Sequence, residues 1–121
     1  MRVLIVDDEM LIAMHLELLV TQMGHEVCAL ATDAEEALAA AARCRPTIAL
    51  MDVRLARGSS GVDAAYRLRQ EFGIRCIFVS ASLDDGVRAS LRPLEPLGFV
   101  GKPIMPATIM RALEKADATT H

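Results

Sequence analysis

The chain has 121 residues, 53% of them hydrophobic and 24% charged, with 13 Lys and Arg against 16 Asp and Glu for a formal net charge of -3. That describes a single domain with enough apolar surface to offset its chain entropy, and it excludes a disordered chain or a two-domain protein. With no basic excess, no Trp and only 3% aromatic residues, the chain is poorly equipped to grip a phosphate backbone or to stack on bases.

The first apolar run, Val3-Leu4-Ile5-Val6, is short and rich in β-branched residues, and it ends in Asp7, Asp8 and Glu9. It reads as a strand buried on both faces of a parallel sheet. The acids that follow at once, and the charges that break every later apolar run, leave neither a signal peptide nor a membrane span. From Glu9 to Met23 the period becomes helical, with Ile12, Leu16, Leu19, Val20 and Met23 on one face and Gly24 as the stop. Val27 to Ala31 is a second strand. Asp33 with Glu36 three residues on predicts a capping box for an alanine-rich helix over Ala34 to Ala42, closed by Pro46.

Thr47 to Met51 is a third apolar strand that again ends in an acid, Asp52. After the loop Arg57-Gly58-Ser59-Ser60-Gly61, Ser60 and Asp63 cap a helix with Val62, Ala65, Leu68 and Phe72 on one face and Gly73 at its end. Cys76 to Val79 forms a fourth strand terminating in Ser80, and a weaker helix is expected from about Asp84 to Leu91. Phe99 and Val100 make a short fifth strand between Gly98 and Gly101. Pro106 opens a last helix carrying Ile109, Met110 and Leu113. The whole of residues 1–121 is expected to be one domain, with Asp117 to His121 as a frayed tail.

Five strands alternating with five helices predict a right-handed, doubly wound α/β fold, in which function sits outside the carboxyl ends of the strands. The residues at those ends are Asp7 and Asp8, Asp52, Ser80 and Lys102. Converging carboxylates repel one another, and a divalent cation is the economical compensator. An all-oxygen set of few ligands favours Mg²⁺ over a Ca²⁺ cage. An ion, the Lys102 ammonium and the Ser80 hydroxyl beside a carboxylate are what a phosphoryl group needs for charge balance and donors. Taken singly, each residue is an ordinary cap or turn. Their placement along one sheet edge points to phosphoryl chemistry on an aspartate.

The three cysteines, Cys28, Cys44 and Cys76, match neither a disulfide framework nor close-spaced metal ligands, and they read as small hydrophobes in a reducing cytoplasm. His15, His25 and His121 stand at no strand end and are assigned no role.

Over nearly its whole length the sequence resembles the receiver domains of two-component response regulators, including the stand-alone chemotaxis type. The resemblance is carried by Val6-Asp7-Asp8-Glu9, Met51-Asp52, Ser80-Ala81 and Phe99-Val100-Gly101-Lys102-Pro103. It implies a flavodoxin-like parallel sheet in the order 2-1-3-4-5. It also implies that Asp52 is the phosphoacceptor, taking its phosphoryl group from a phosphohistidine of a sensor histidine kinase or histidine phosphotransfer protein. Asp7, Asp8, Asp52 and the backbone carbonyl of Arg54 would hold Mg²⁺, Lys102 would bridge to the phosphoryl oxygens, and Ser80 and Phe99 would move together as the switch. The implied output is a changed contact surface for an unknown downstream protein, with the chain a monomer or a phosphorylation-dependent dimer.

The sequence departs from the common receiver pattern at three places. The loop after Asp52 has Ala56 where many relatives have Pro, and it is one residue longer before Gly61. Pro93 and Pro96 are expected to shorten or irregularise the fourth helix. Arg54 places a long side chain beside Asp52, where it is expected to obstruct a hydrolytic water. A second apolar stripe on the first helix, Leu11, Met14 and Leu18, is displaced from the core set and is expected to face outward. In related receivers that helix docks the phosphodonor, so the stripe is a candidate partner surface.

Two rival readings remain open on the residues. A small Mg²⁺-dependent phosphohydrolase would also use Asp52, although Arg54 stands where such enzymes usually carry a second carboxylate. A receiver-like module that dimerises without phosphorylation would have no use for the acids, Ser80 and Lys102. A flavin or nucleotide carrier would need a phosphate-cradling glycine loop after the first strand, and none is present.

Overall fold

The computed structural model describes residues 1–55 and 60–120. In chain order the elements are β1 (Arg2–Val6), α1 (Met10–Gln22), β2 (Glu26–Ala31), α2 (Ala34–Cys44), β3 (Ile48–Met51), α3 (Gly61–Phe72), β4 (Arg75–Ser80), α4 (Asp85–Leu91), β5 (Gly98–Gly101) and α5 (Pro106–Thr120). All five strands are parallel, in the order β2-β1-β3-β4-β5. This is the doubly wound sheet that the alternation of strand and helix predicts, in the flavodoxin-like order that the resemblance implies.

The period of two along each strand divides the core into two layers. Leu4 and Val6 of β1, Ala49 and Met51 of β3, and Cys76 and Phe78 of β4 point to one face, where α2, α3 and α4 supply Leu38, Leu68 and Leu91. Val3 and Ile5, Ile48 and Leu50, and Ile77 and Val79 point to the other, covered by Leu16 and Val20 of α1 and Ile109, Leu113 and Ala116 of α5. Because both faces are covered, β1 and β3 read as unbroken apolar runs rather than alternating ones. Each fully buried large side chain contributes roughly 1.5–3 kcal/mol. The two edge strands, β2 and β5, are largely half-exposed.

Local signals set the helix ends. Asp33 Oδ1 accepts the Glu36 amide at 2.8 Å, while Glu36 Oε1 reaches back past the cap to the amide and hydroxyl of Thr32. Ser60 Oγ accepts the Asp63 amide at 3.2 Å, and Asp84 Oδ1 accepts the Val87 amide at 2.9 Å. Gly73 ends α3 in the left-handed region at φ 69°, a conformation that costs a glycine little. The two prolines act on α4 as expected: the helix has seven residues and passes into a single 3₁₀ turn, Arg92–Leu94, held by buried Leu91 and Leu94.

One expectation is corrected. α5 continues through Thr120, so residues 117–120 are helical rather than frayed. Ala116 is buried on the packed face of α5, and the Thr120 hydroxyl lies 3.0 Å from the Ala116 carbonyl and 3.5 Å from Met1 Sδ. Of the apolar residues of α5, Ile109 and Leu113 are buried and Met110 is exposed, one residue around the helix from the buried stripe. His121 and the Ala56 position of the loop after Asp52 lie outside the described residues.

The three cysteines are free thiols. Burial pushes the Cys76 thiol up to about 12. Cys28 is likewise raised to about 12, first by burial and then by the adjacent Cys44 thiol. Both therefore stay protonated near neutrality and behave as the inert hydrophobes that the sequence predicts. Among the described residues no helix is long and apolar enough to cross a membrane.

Candidate functional site

The winding brings the chemistry to one edge. In this strand order β1 and β3 lie side by side where the connections change from one face of the sheet to the other, so Asp7, Asp8 and Asp52 emerge together at the switch point. Sheet hydrogen bonds carry the register into the loops. The Asp7 amide donates to the Ala31 carbonyl at 2.9 Å, the Asp52 amide to Val6 at 2.9 Å, and the Lys102 amide to Ser80 at 3.1 Å. Asp7, Asp52 and Lys102 are thus each fixed through the backbone by a neighbouring strand.

Asp8, Asp52, Arg54, Ser80 and Lys102 line a single open cleft of about 300 Å³, together with Glu9. Asp7 lies behind the wall, almost fully buried. The Lys102 ammonium holds the centre, 2.9 Å from Asp7 Oδ2, 2.7 Å from Glu9 Oε2 and 2.9 Å from Asp52 Oδ2. Asp52 Oδ1 accepts the Arg54 amide at 3.2 Å, and Asp7 Oδ1 accepts the Glu9 amide at 2.9 Å. The Ser80 hydroxyl, buried at the end of β4, accepts the Ser82 amide at 3.3 Å. A cis peptide bond joins Lys102 to Pro103.

Burial raises Asp7 above the ordinary carboxylate range, outweighing the Glu9 amide and the Lys102 ammonium, which both favour its charged form. Burial acts on Lys102 in the sense that would lower it. The combined pull of Glu9, Asp52 and Asp7 is stronger, and the ammonium is held above its ordinary value. One cation is nevertheless too little for the acids around it. Carboxylate oxygens of Asp7, Asp8, Glu9 and Asp52 all lie within 4.8 Å of one another. Although Asp7 Oδ2 touches Lys102 at ion-pair distance, it is buried without an aligned hydrogen bond. An all-oxygen, strongly acidic set with an orphaned buried oxygen fits a hard divalent cation.

The comparisons with known proteins agree with this geometry. Residues 3–114 match the sequence model of the response regulator receiver domain. The chain belongs to the response regulator receiver family. The receiver is 39% identical over 115 residues to the phyllosphere-induced regulator PhyR of Methylorubrum extorquens, covering 94% of this chain and 42% of that protein. It is similar in structure to the receiver domain of a modulated diguanylate cyclase from Desulfovibrio desulfuricans, at a TM-score of 0.87 and 32% identity, covering 98% of this chain and 94% of that one. It is also similar to the anti-anti-sigma factor PhyR from Bartonella quintana, at a TM-score of 0.79 and 32% identity, covering 98% of this chain and 47% of that one. The receiver therefore spans less than half of the length of either PhyR protein.

Not every residue singled out in the sequence meets at the cleft. Phe99 packs instead under α4: its ring stacks on Phe78 at 6.0 Å between centroids, and the Arg88 guanidinium sits 4.9 Å from its own centroid. That places Phe99 between the strand ending in Ser80 and the irregular fourth helix. Leu11, Met14 and Leu18 are exposed on α1, away from the core face, as their spacing predicts.

Sequence reasoning missed two residues of the site. Glu9 appears in the sequence as the third acid of a run at a helix start, yet its side chain makes no capping bond and turns to Lys102 instead. Gly61 reads as a loop glycine, but the structure uses it for close approach. Its amide donates to the Val53 carbonyl at 2.8 Å. A Cβ at Gly61 would collide with the Asp52 carbonyl oxygen and lie 2.8 Å from Val53 Cα. Gly61→Ala is expected to cost about 1–3 kcal/mol, because backbone rather than a yielding side chain must move. It should also weaken cation binding by shifting Asp52. Urea unfolding and a Mg²⁺ titration check this, and a variant matching the wild type in both would show that the loop opens freely.

Proposed function

We propose that this receiver accepts a phosphoryl group on Asp52 from the phosphohistidine of a sensor kinase or phosphotransfer protein, and signals through the change this makes to its surface. One observation carries the reading: a buried carboxylate stands at the wall of an open cleft, in contact with the only lysine there and within reach of three further acids. As an Asp52 oxygen bonds to phosphorus, the P–N bond of the donor breaks and its electron pair leaves on the imidazole. Asp7, Asp8, Asp52 and the Arg54 carbonyl would hold Mg²⁺, which when bound neutralises charge on the transferring group. Lys102 donates to the phosphoryl oxygens, and the Ser80 hydroxyl supplies a further bond once it leaves the Ser82 amide. Arg54 flanks the acceptor and limits the approach of water.

The added charge of about -1.5 to -2 is then read through Ser80 and its neighbours. Ser80 ends β4, Phe78 lies two residues before it, and Phe99 joins Phe78 to α4 through Arg88. Movement of Ser80 toward the phosphoryl group is thereby coupled to the α4–β5 face, which meets a downstream protein or a second receiver.

The test is incubation with Mg²⁺ and fluoroberyllate, an acyl phosphate mimic. A stoichiometric conformational change, seen in amide spectra around Ser80 and Phe99, supports the switch. No response would overturn it, and release of phosphate from assorted monoesters would favour a hydrolase.

The phosphodonor is proposed to dock on α1, where Leu11 is 82% exposed and Met14 and Leu18 are 53% and 54% exposed. A contiguous apolar stripe of this kind suits a helical partner. Leu18→Glu is expected to slow phosphotransfer from the cognate donor about tenfold or more, the size of one interface anchor. Phosphorylation by a small acyl phosphate should be unchanged. Equal losses with both donors would place the defect in the cleft and remove α1 from the docking surface.

A further inference from the structure

The contacts of Lys102 have a consequence for how the site is loaded, which rests on Asp52 being the phosphoacceptor. An ammonium has three N–H donors. Two are committed as hydrogen bonds to Glu9 and Asp52, and the remaining side of the group faces Asp7 Oδ2 at 2.9 Å. A phosphoryl oxygen that is to receive a bond from Lys102 must therefore displace one of three carboxylates.

Those carboxylates are not equivalent. The side chains of Asp7 and Asp52 are 1% and 6% exposed, whereas that of Glu9 is 58% exposed. Until the phosphorus is bonded, releasing Asp7 or Asp52 would strand an anion in a buried position, which is strongly unfavourable. Glu9 can return to water at little cost, and its side chain makes no capping bond at the start of α1 that would be lost. It also forms the shortest of the three contacts, at 2.7 Å.

We infer that Glu9 is a displaceable counterion, a positioning residue that holds Lys102 while Asp52 is unmodified and yields its place to the phosphoryl oxygen. In the empty site Glu9 keeps the ammonium aligned between Asp7 and Asp52. During loading it competes with the incoming anion for the same N–H and repels it. Glu9 thus sets a threshold for occupancy without touching the reacting atoms.

The test is a fluoroberyllate titration at saturating Mg²⁺ of the wild type and Glu9→Gln, followed by amide NMR, with Mg²⁺ affinity measured separately in the absence of the mimic. Glu9→Gln is expected to bind fluoroberyllate about two- to fivefold more tightly, the size of one exposed ion pair. Glu9→Ala should shift in the same direction. A gain in affinity is a result that general damage to the fold would not produce. A responsive wild type with unchanged or weaker binding in both variants overturns the inference alone. A wild type that does not respond overturns the phosphoacceptor reading and this inference with it.

Discussion

Asp52→Asn is expected to take up no phosphoryl group from either a histidine donor or a small acyl phosphate, while keeping the wild-type fold. The amide has nearly the volume of the carboxylate, and its oxygen can still accept the Arg54 amide that Asp52 Oδ1 accepts at 3.2 Å. Nothing in the core need move. What disappears is the anionic nucleophile in contact with Lys102, and the two other buried groups beside it are poor substitutes. Asp7 is walled in behind the cleft, and the Ser80 hydroxyl is buried and bonded to the Ser82 amide. Intact-mass measurement after incubation with Mg²⁺ and acyl phosphate should show one added phosphoryl group in the wild type and under about one per cent of that in the variant. Labelling of the variant to the wild-type level would move the acceptor elsewhere and end the proposal.

Lys102→Ala should have the largest effect on stability. The Lys102 side chain is 9% exposed and faces two nearly buried carboxylates, so its removal leaves Asp7 and Asp52 without a counterion. Breaking such a cluster from one side costs roughly 3 kcal/mol or more. Two conditions should restore much of the loss. Mg²⁺ should stabilise the variant more than the wild type, because the ion then takes over the neutralisation that Lys102 supplied.

Acid should act in the same direction. Asp7 already titrates above its ordinary range because it is buried. In the variant the lowering influence of Lys102 is gone, so its folded pKa moves further up. For an acid whose folded pKa exceeds the unfolded one, stability is fully present below the unfolded value and is lost as pH rises through the folded value. Relative to the wild type, the variant should therefore recover as pH falls from neutrality toward the carboxylate range. Urea unfolding at two pH values, with and without Mg²⁺, checks both effects. A deficit that ignores both would mean that Lys102 contributes by packing rather than charge.

The strands were legible because the parallel sheet buries both faces of β1, β3 and β4, which writes unbroken apolar runs into the sequence. The acids that close two of those runs identified the edge where the cleft forms. Helix ends were legible wherever a side chain or a glycine caps them, as at Asp33, Ser60, Asp84 and Gly73. The C-terminal end of α5 was not, because Asp117, Thr119 and Thr120 are weak helix formers. The packed face of that helix, through Ala116, carries the helix on.

Asp7, Asp8, Asp52, Ser80 and Lys102 could be nominated from one dimension because each ends a strand, and strand ends in a doubly wound sheet share an edge. Which side chains then touch depends on residues far apart in the chain. Lys102 is 93 residues from Glu9 and 50 from Asp52. No local pattern records that Glu9 faces Lys102 rather than capping α1, that Asp7 is walled in while Asp8 stays open, or that Gly61 lies against the Asp52 carbonyl. Local propensity and hydrophobic period are properties of short windows, and they settle the elements and their order. Contact, burial and the division of charge among four acids and one ammonium arise only when the strands are paired.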